Sequence, residues 1–176
     1  MKTLYLLRHA KSSWGAPDSP DHERPLNGRG RLAAEAMGGH LGRRKPPPET
    51  ILASTALRVR ETLDILLPKA KLAEVPLIPE QDLYLAEPDR LLTALREAPA
   101  DAGSLMMVGH NPGMHEFALR LCGEVTEAKR TLREQLRENL PTAGLVVIAF
   151  PLADDWGDIG WGDGRLDDFV TPKSLA

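Results

Sequence analysis

Apolar residues along the chain follow two patterns: short unbroken runs, and longer stretches in which they recur every three or four positions. The unbroken runs are Leu4 to Leu7, "TILAS" at 50–54, "LMMV" at 105–108 and "AGLVVIAFP" at 143–151. Continuous rather than alternating apolarity predicts strands covered on both faces. "AEVPLIP" at 73–79 is a weaker extended segment.

Helical spacing appears between these runs. In "GRGRLAAEAMGGHLGRR" at 28–44, Leu32, Ala33, Ala36, Met37 and Leu41 form a stripe, and "KPPPET" ends it because three prolines remove donors and restrict φ. "TALRVRETLDILL" at 55–67 predicts a second helix, with Ser54 or Thr55 as N-cap and Pro68 as its stop. A third runs from about Pro88 to Ala98 with Leu91, Leu92 and Leu95 on its apolar side, and a fourth follows "LMMVGHNPG". Residues 127–139 are highly charged, which predicts a helix with a largely solvated face. The segment from Ser12 to Asn27 is rich in Pro, Asp and Ser and reads as a loop, and the tail beyond Ala153 has no interpretable period. Alternating strand and helix signals predict an α/β protein: a three-layer α/β/α arrangement with a central, mostly parallel sheet, in a single domain spanning 1–176 without internal repeats.

Composition narrows the function classes. With 42% hydrophobic residues, 27% charged residues and a formal net charge of −3, the chain has the profile of a soluble globular protein and not of one that wraps nucleic acid. A local basic pocket is still compatible with that total. The apolar run behind Met1 is cut short by Arg8, and no stretch approaches the roughly 20 apolar residues of a spanning helix, so a cytoplasmic protein without membrane partners is expected. Cys122 is the only cysteine; it excludes an internal disulfide framework and reads as a small buried hydrophobe. Oligomeric state is left open.

The candidate chemistry lies at the strand ends, where open α/β sheets bind ligands. Arg8 and His9 close the first strand, Ser54 and Arg58 follow the second, and His110 follows "LMMV". Adjacent strand residues face opposite ways, so Arg8 and His9 share a pocket only if the strand ends there. Two arginines, two histidines and the free N–H groups of helix starts would suit a compact dianion, above all a phosphoryl group. A neutral imidazole whose other nitrogen is hydrogen-bonded is a competent nucleophile toward phosphorus, and guanidinium forks can hold the equatorial oxygens. No carboxylate-rich metal cradle accompanies these segments.

Four blocks, in order, resemble the histidine phosphatase superfamily, and within it the small phosphohistidine phosphatases of the SixA type: "LLRHAKSS", "RPLNGRGRLAA", "ASTALRVRET" and "MMVGHNPG". The resemblance extends from Leu4 to about Leu121 and implies a phosphoglycerate mutase-like fold. It implies that His9 is transiently phosphorylated, that Arg8 and Arg58 grip phosphoryl oxygens, and that His110 hydrogen-bonds the phosphate. Arg24 would stand near the pocket, Lys11 or Ser12 would line the phosphate loop, and no metal or organic cofactor would be needed.

One departure bears on substrate class. Many relatives carry a glutamate general acid after the third strand, whereas "DLYLAEPD" places Leu85 at that position, with Glu80, Asp82 and Glu87 displaced from it. An alkyl phosphate needs its leaving oxygen protonated, an effect worth about 10² to 10⁴ in rate. A phosphoramidate needs this less. Phosphohistidine on a protein, such as a phosphotransfer domain or phosphocarrier, is therefore the expected substrate. A small phosphorylated metabolite is the alternative, and a non-catalytic phosphate- or phosphohistidine-binding module a more distant one.

Several residues carry bland expectations. Arg60, two positions from Arg58, belongs on the solvated face of its helix. His22 and His40 read as loop surface, and His115 does not form a helical zinc pair with His110. Trp14 could contact a substrate or anchor its loop to the core; the sequence is neutral between the two.

Overall fold

Leu4 to Leu7 are all fully buried because strand β1 (Lys2–Arg8) is covered on both sides by different layers. Leu4 and Leu6 enter one core cluster of 24 buried residues, and Tyr5 and Leu7 enter another of 18. The same alternation places Met107 in the first cluster and Met106 and Val108 in the second. Unbroken apolar runs thus serve two cores at once.

The structure, a computed structural model, describes residues Met1–Ala176. After β1 come α1 (Gly28–Leu41), β2 (Thr50–Ser54), α2 (Leu57–Ala70), β3 (Leu77–Glu80), α3 (Pro88–Arg96) and β4 (Ser104–Gly109). These are followed by α4 (Gly113–Leu121), α5 (Arg130–Glu138), β5 (Leu145–Phe150) and β6 (Arg165–Val170). The sheet order is β3-β2-β4-β1-β5-β6. The three pairings from β3 to β1 are parallel, whereas β1–β5 and β5–β6 are antiparallel. Residues of α1 and α2 line one core, and residues of α3, α4 and α5 line the other, giving three layers. No helix is long and apolar enough to cross a membrane.

The chain leaves β1 over one face and leaves β4 over the other, yet the two strands are neighbours. Their carboxyl ends therefore flank a topological switch point, where the diverging connections leave a crevice.

Several local expectations are corrected. The buried face of α1 is Gly30, Ala34, Met37, Gly38 and Leu41, while Leu32 is 69% exposed and Ala36 is also exposed. Glycine makes the contact: a Cβ on Gly38 would stand 2.7 Å from the Leu66 carbonyl oxygen and 2.8 Å from Lys69 Cβ, so α1 lies directly on α2. That helix ends at Leu41, leaving Arg44 free to bind Asp168 at 2.6 Å. Neither Ser54 nor Thr55 caps α2, whose cap position is Ala56 without a side-chain bond, and Pro68 lies inside its final turn instead of ending it. The tail contributes β6, hidden from period-two reading because its partner strand carries a register shift between Val147 and Ile148 and because Asp167 and Asp168 face Arg44.

Replacing Gly38 by Leu should lower stability by about 1–3 kcal/mol, because overpacking forces α1 off α2. Leu32→Ala should stay within about 0.5 kcal/mol. Urea unfolding of both variants checks the pair.

Candidate active site

Strand β1 ends at Arg8, and the backbone N–H of His9 still donates to the Gly109 carbonyl at 3.1 Å. The parallel register sets Arg8 opposite Gly109, so the next residues, His9 and His110, emerge side by side. Their ring centroids are 5.2 Å apart. Both side chains are nearly buried, His9 at 7% and His110 at 3% exposure.

The orientation of His9 is set by the segment behind it. Its Nδ1 lies 2.7 Å from the carbonyl oxygen of Ala10, which accepts, so the proton resides on Nδ1 and Nε2 carries the lone pair. The Ala10 N–H donates to Thr62 Oγ1 at 3.0 Å, and that hydroxyl donates to the Arg58 carbonyl at 2.6 Å. Fully buried Thr62 thereby ties the His9 segment to the first turns of α2. From the same helix Arg58 points inward, and its Nε donates to His9 Nε2 over a long 3.4 Å. Arg60 is exposed, as its spacing predicts.

His110 Nε2 lies 2.7 Å from Ser54 Oγ, at the end of β2. The Ser54 oxygen also accepts from the Ala56 N–H at 3.3 Å, so its own proton is free for His110 Nε2. His110 Nδ1 is buried without a partner, as is Arg8 Nε. Arg8 Nη1 and Asn111 Nδ2 both donate to the Leu140 carbonyl, at 3.1 and 2.8 Å.

These groups line an open cleft of about 400 Å³ together with Lys11, Ser12, Trp14, Asp21, Arg24, Leu85 and Thr142. All seven sequence-predicted site residues, Arg8, His9, Lys11, Ser12, Arg24, Arg58 and His110, meet there. Arg24 is held by Ser13 O at 3.0 Å and Ser12 Oγ at 2.8 Å. Gly30 permits this loop arrangement, since a Cβ there would lie 2.1 Å from the Lys11 carbonyl.

Trp14 is 83% exposed and stacks over Arg24 at 4.2 Å, so it does not anchor its loop to the core. His22 is only partly exposed; its Nε2 lies 2.8 Å from Thr55 Oγ1 and its ring packs edge-on against Tyr84. None of Glu80, Asp82 and Glu87 reaches the cleft, which meets the Leu85 side chain instead. Cys122 is buried, and burial pushes its thiol up to about 11, as an inert hydrophobe requires. No group of three or more His, Cys, Asp or Glu side chains is arranged to hold a metal ion.

Asp21 is the site residue that sequence reasoning missed. Its Oδ1 accepts from Arg24 at 3.0 Å and its Oδ2 from Arg58 at 3.0 Å, while the Tyr84 hydroxyl also donates to Oδ2. Those bonds, led by that from Tyr84, hold its carboxyl well below the usual carboxylate range. The only sequence signal was its place three residues before Arg24, enough for a single helical turn to aim both side chains alike.

Burial lowers His9 to about 4, aided by the neighbouring charges of Arg58, Arg8 and Arg24 and opposed by the bond to Ala10. It lowers His110 to about 3, with His9 and Arg58 adding to the effect. Both rings are therefore neutral at physiological pH. Two neutral imidazoles amid three guanidinium groups form a cavity complementary to a small polyanion and equipped with a bare nitrogen facing it.

Fold and cleft together define a class, an α/β/α protein with paired histidines and arginines at the sheet's switch point. Comparison with known proteins agrees. The profile of the Histidine phosphatase superfamily (branch 1) matches residues 4–87. An uncharacterized protein of Mycobacterium tuberculosis is 31% identical over 168 residues, covering 95% of this chain and 100% of the relative. The candidate phosphohistidine phosphatase SixA of Agrobacterium tumefaciens is 30% identical, with a TM-score of 0.78 over 97% of this chain and 98% of that one. Its counterpart from Nakamurella multipartitia is 26% identical, with a TM-score of 0.80 over 97% and 96%. The chain belongs to the histidine phosphatase superfamily, in its SixA-like branch. Membership carries phosphatase activity of the superfamily's metal-independent kind.

Two predictions follow from the electrostatics. Unfolding returns both histidines to about 6.5, so the unfolded chain binds more protons once pH drops below that value. Stability should be fully present above pH about 6.5 and decline toward pH about 3, and His110→Asn should flatten the decline; urea midpoints across that window test this. Because Asp21 is 44% exposed, its ion pair with Arg58 is weak, and Asp21→Asn should tighten inorganic phosphate binding only about two- to fivefold by calorimetry.

Proposed function

We propose that this phosphatase removes the phosphoryl group from phosphohistidine on a protein, using His9 as nucleophile. The observation that carries the proposal is the absence of a proton donor at the leaving-group side. Leu85 stands where a carboxylic acid would be needed, and Asp21, the one carboxylate lining the cleft, is held ionised by Arg24, Arg58 and Tyr84.

In the first step His9 Nε2 attacks phosphorus as the bond to the leaving nitrogen breaks. A substrate imidazole already protonated on its far nitrogen departs as neutral imidazole, so no enzyme acid is required. An alkoxide would depart unprotonated, at a loss of about 10² to 10⁴ in rate. Arg8, Arg24 and Arg58 spread the phosphoryl charge, with Arg58 moving from Asp21 to the incoming oxygens. Lys11 and Ser12 complete the phosphate loop, and the His110 ring hydrogen-bonds a phosphoryl oxygen. In the second step water attacks the phosphorus on His9, the N–P bond breaks, and inorganic phosphate leaves with His9 regenerated. The expected setting is the cytoplasm, where phosphorelay and phosphocarrier proteins carry such groups.

His9→Ala should lose at least about 10³-fold in turnover, in line with removal of a covalent nucleophile. Wild type should accumulate an acid-labile phosphoenzyme that the variant lacks. A side-by-side assay of a histidine-phosphorylated phosphotransfer domain and a panel of alkyl phosphomonoesters decides the substrate class. Preference for the esters would overturn the proposal and point to a small phosphorylated metabolite.

A further inference from the structure

A second cleft of about 890 Å³ adjoins the central one of about 400 Å³ and shares Lys11 and Thr142 with it. Its walls come from the start of α1, the end of α5 with the loop after it, and the residues following β6. The tail that showed no pattern in the sequence thus forms one side of a cleft that adjoins the one holding His9.

The lining has a definite charge. Lys11, Arg29 and Lys173 are positive and Glu138 alone is negative, a surplus of two positive charges on a protein of net charge −3. All three cations are exposed, and none forms an ion pair within the chain. A further cleft, which shares Leu85 with the central one, reverses sign: Glu87, Asp89 and Glu116 line it with Arg120 as the only cation. The mouth of the site therefore presents a basic flank and an acidic one.

A small metabolite would be enclosed by a mostly apolar pocket. Here the adjoining cleft is open, and four of the 13 residues lining it carry a formal charge. Such a surface suits the polar rim of a protein–protein contact, where charge sets approach and orientation. We propose that this cleft docks an acidic segment of the substrate protein beside its phosphohistidine, an inference that rests on the phosphohistidine-protein function above. The acidic lining beside Leu85 repels the same segment, which favours its seating on the basic side.

The test uses the full chain carrying Arg29→Glu and Lys173→Glu, singly and together; neither residue belongs to the central cleft. The probes are a phosphotransfer domain phosphorylated on histidine with acidic residues flanking it, and free phosphoramidate. In low salt the double variant should lose roughly tenfold in kcat/KM on the protein, mainly through KM, with the deficit shrinking at high salt. Turnover of phosphoramidate should remain within about twofold of wild type. Unchanged turnover of the phosphoprotein, or equal loss on both probes, would overturn the docking proposal while leaving the phosphohistidine function standing. Wild type that handles the phosphoprotein no better than phosphoramidate would overturn the protein-substrate function, and the docking proposal with it.

Discussion

The parallel pairing of β1 with β4 is the constraint on which the rest depends. Its register aligns Arg8 with Gly109, and one further backbone bond, from His9 N–H to the Gly109 carbonyl, carries the alignment past the regular strand. Two histidines 101 positions apart are thereby brought within 5.2 Å between ring centroids. A one-residue slip would turn every side chain of β1 to the opposite core, so the buried leucines on both faces hold the register. The packing that stabilises the sheet is also what sets the geometry of the site.

Electrostatics inside the cleft follow from that crowding. Desolvation is the largest influence disfavouring protonation of each ring; the charges of Arg58, Arg8 and Arg24 add to it at His9, and those of His9 and Arg58 at His110. The histidines stay neutral without a dedicated base, and Nε2 of His9 is bare because Ala10 holds the other nitrogen's proton. Asp21 partly balances Arg24 and Arg58. A dianion would compete for these contacts.

Departures from a general-purpose phosphatase cluster on one side of the cleft. Where a carboxylic acid would assist an alkoxide, the chain presents the exposed side chain of Leu85, in a left-handed backbone conformation at φ 52. The cleft also holds exposed Trp14, stacked on Arg24, and adjoins the basic cleft lined by Arg29 and Lys173.

The sequence by itself determined five of the six strands, the three-layer arrangement and seven of the residues lining the cleft, because continuous apolar runs and strand-end polar residues are local signals. Arg58 was distinguishable from Arg60 because residues two apart on a helix face different ways and the spacing to Thr62 in the family-like block selects Arg58. The tertiary structure decided what depends on distant partners. Gly38, and not Leu32, makes the α1–α2 contact because the interhelical approach admits no side chain. The β6 strand and the paired Asp167 and Asp168 acquired meaning only opposite β5 and Arg44. Asp21 looked like one more loop carboxylate until folding placed two guanidinium groups and a phenol around it, an arrangement assembled from segments up to 63 residues apart that no local pattern encodes.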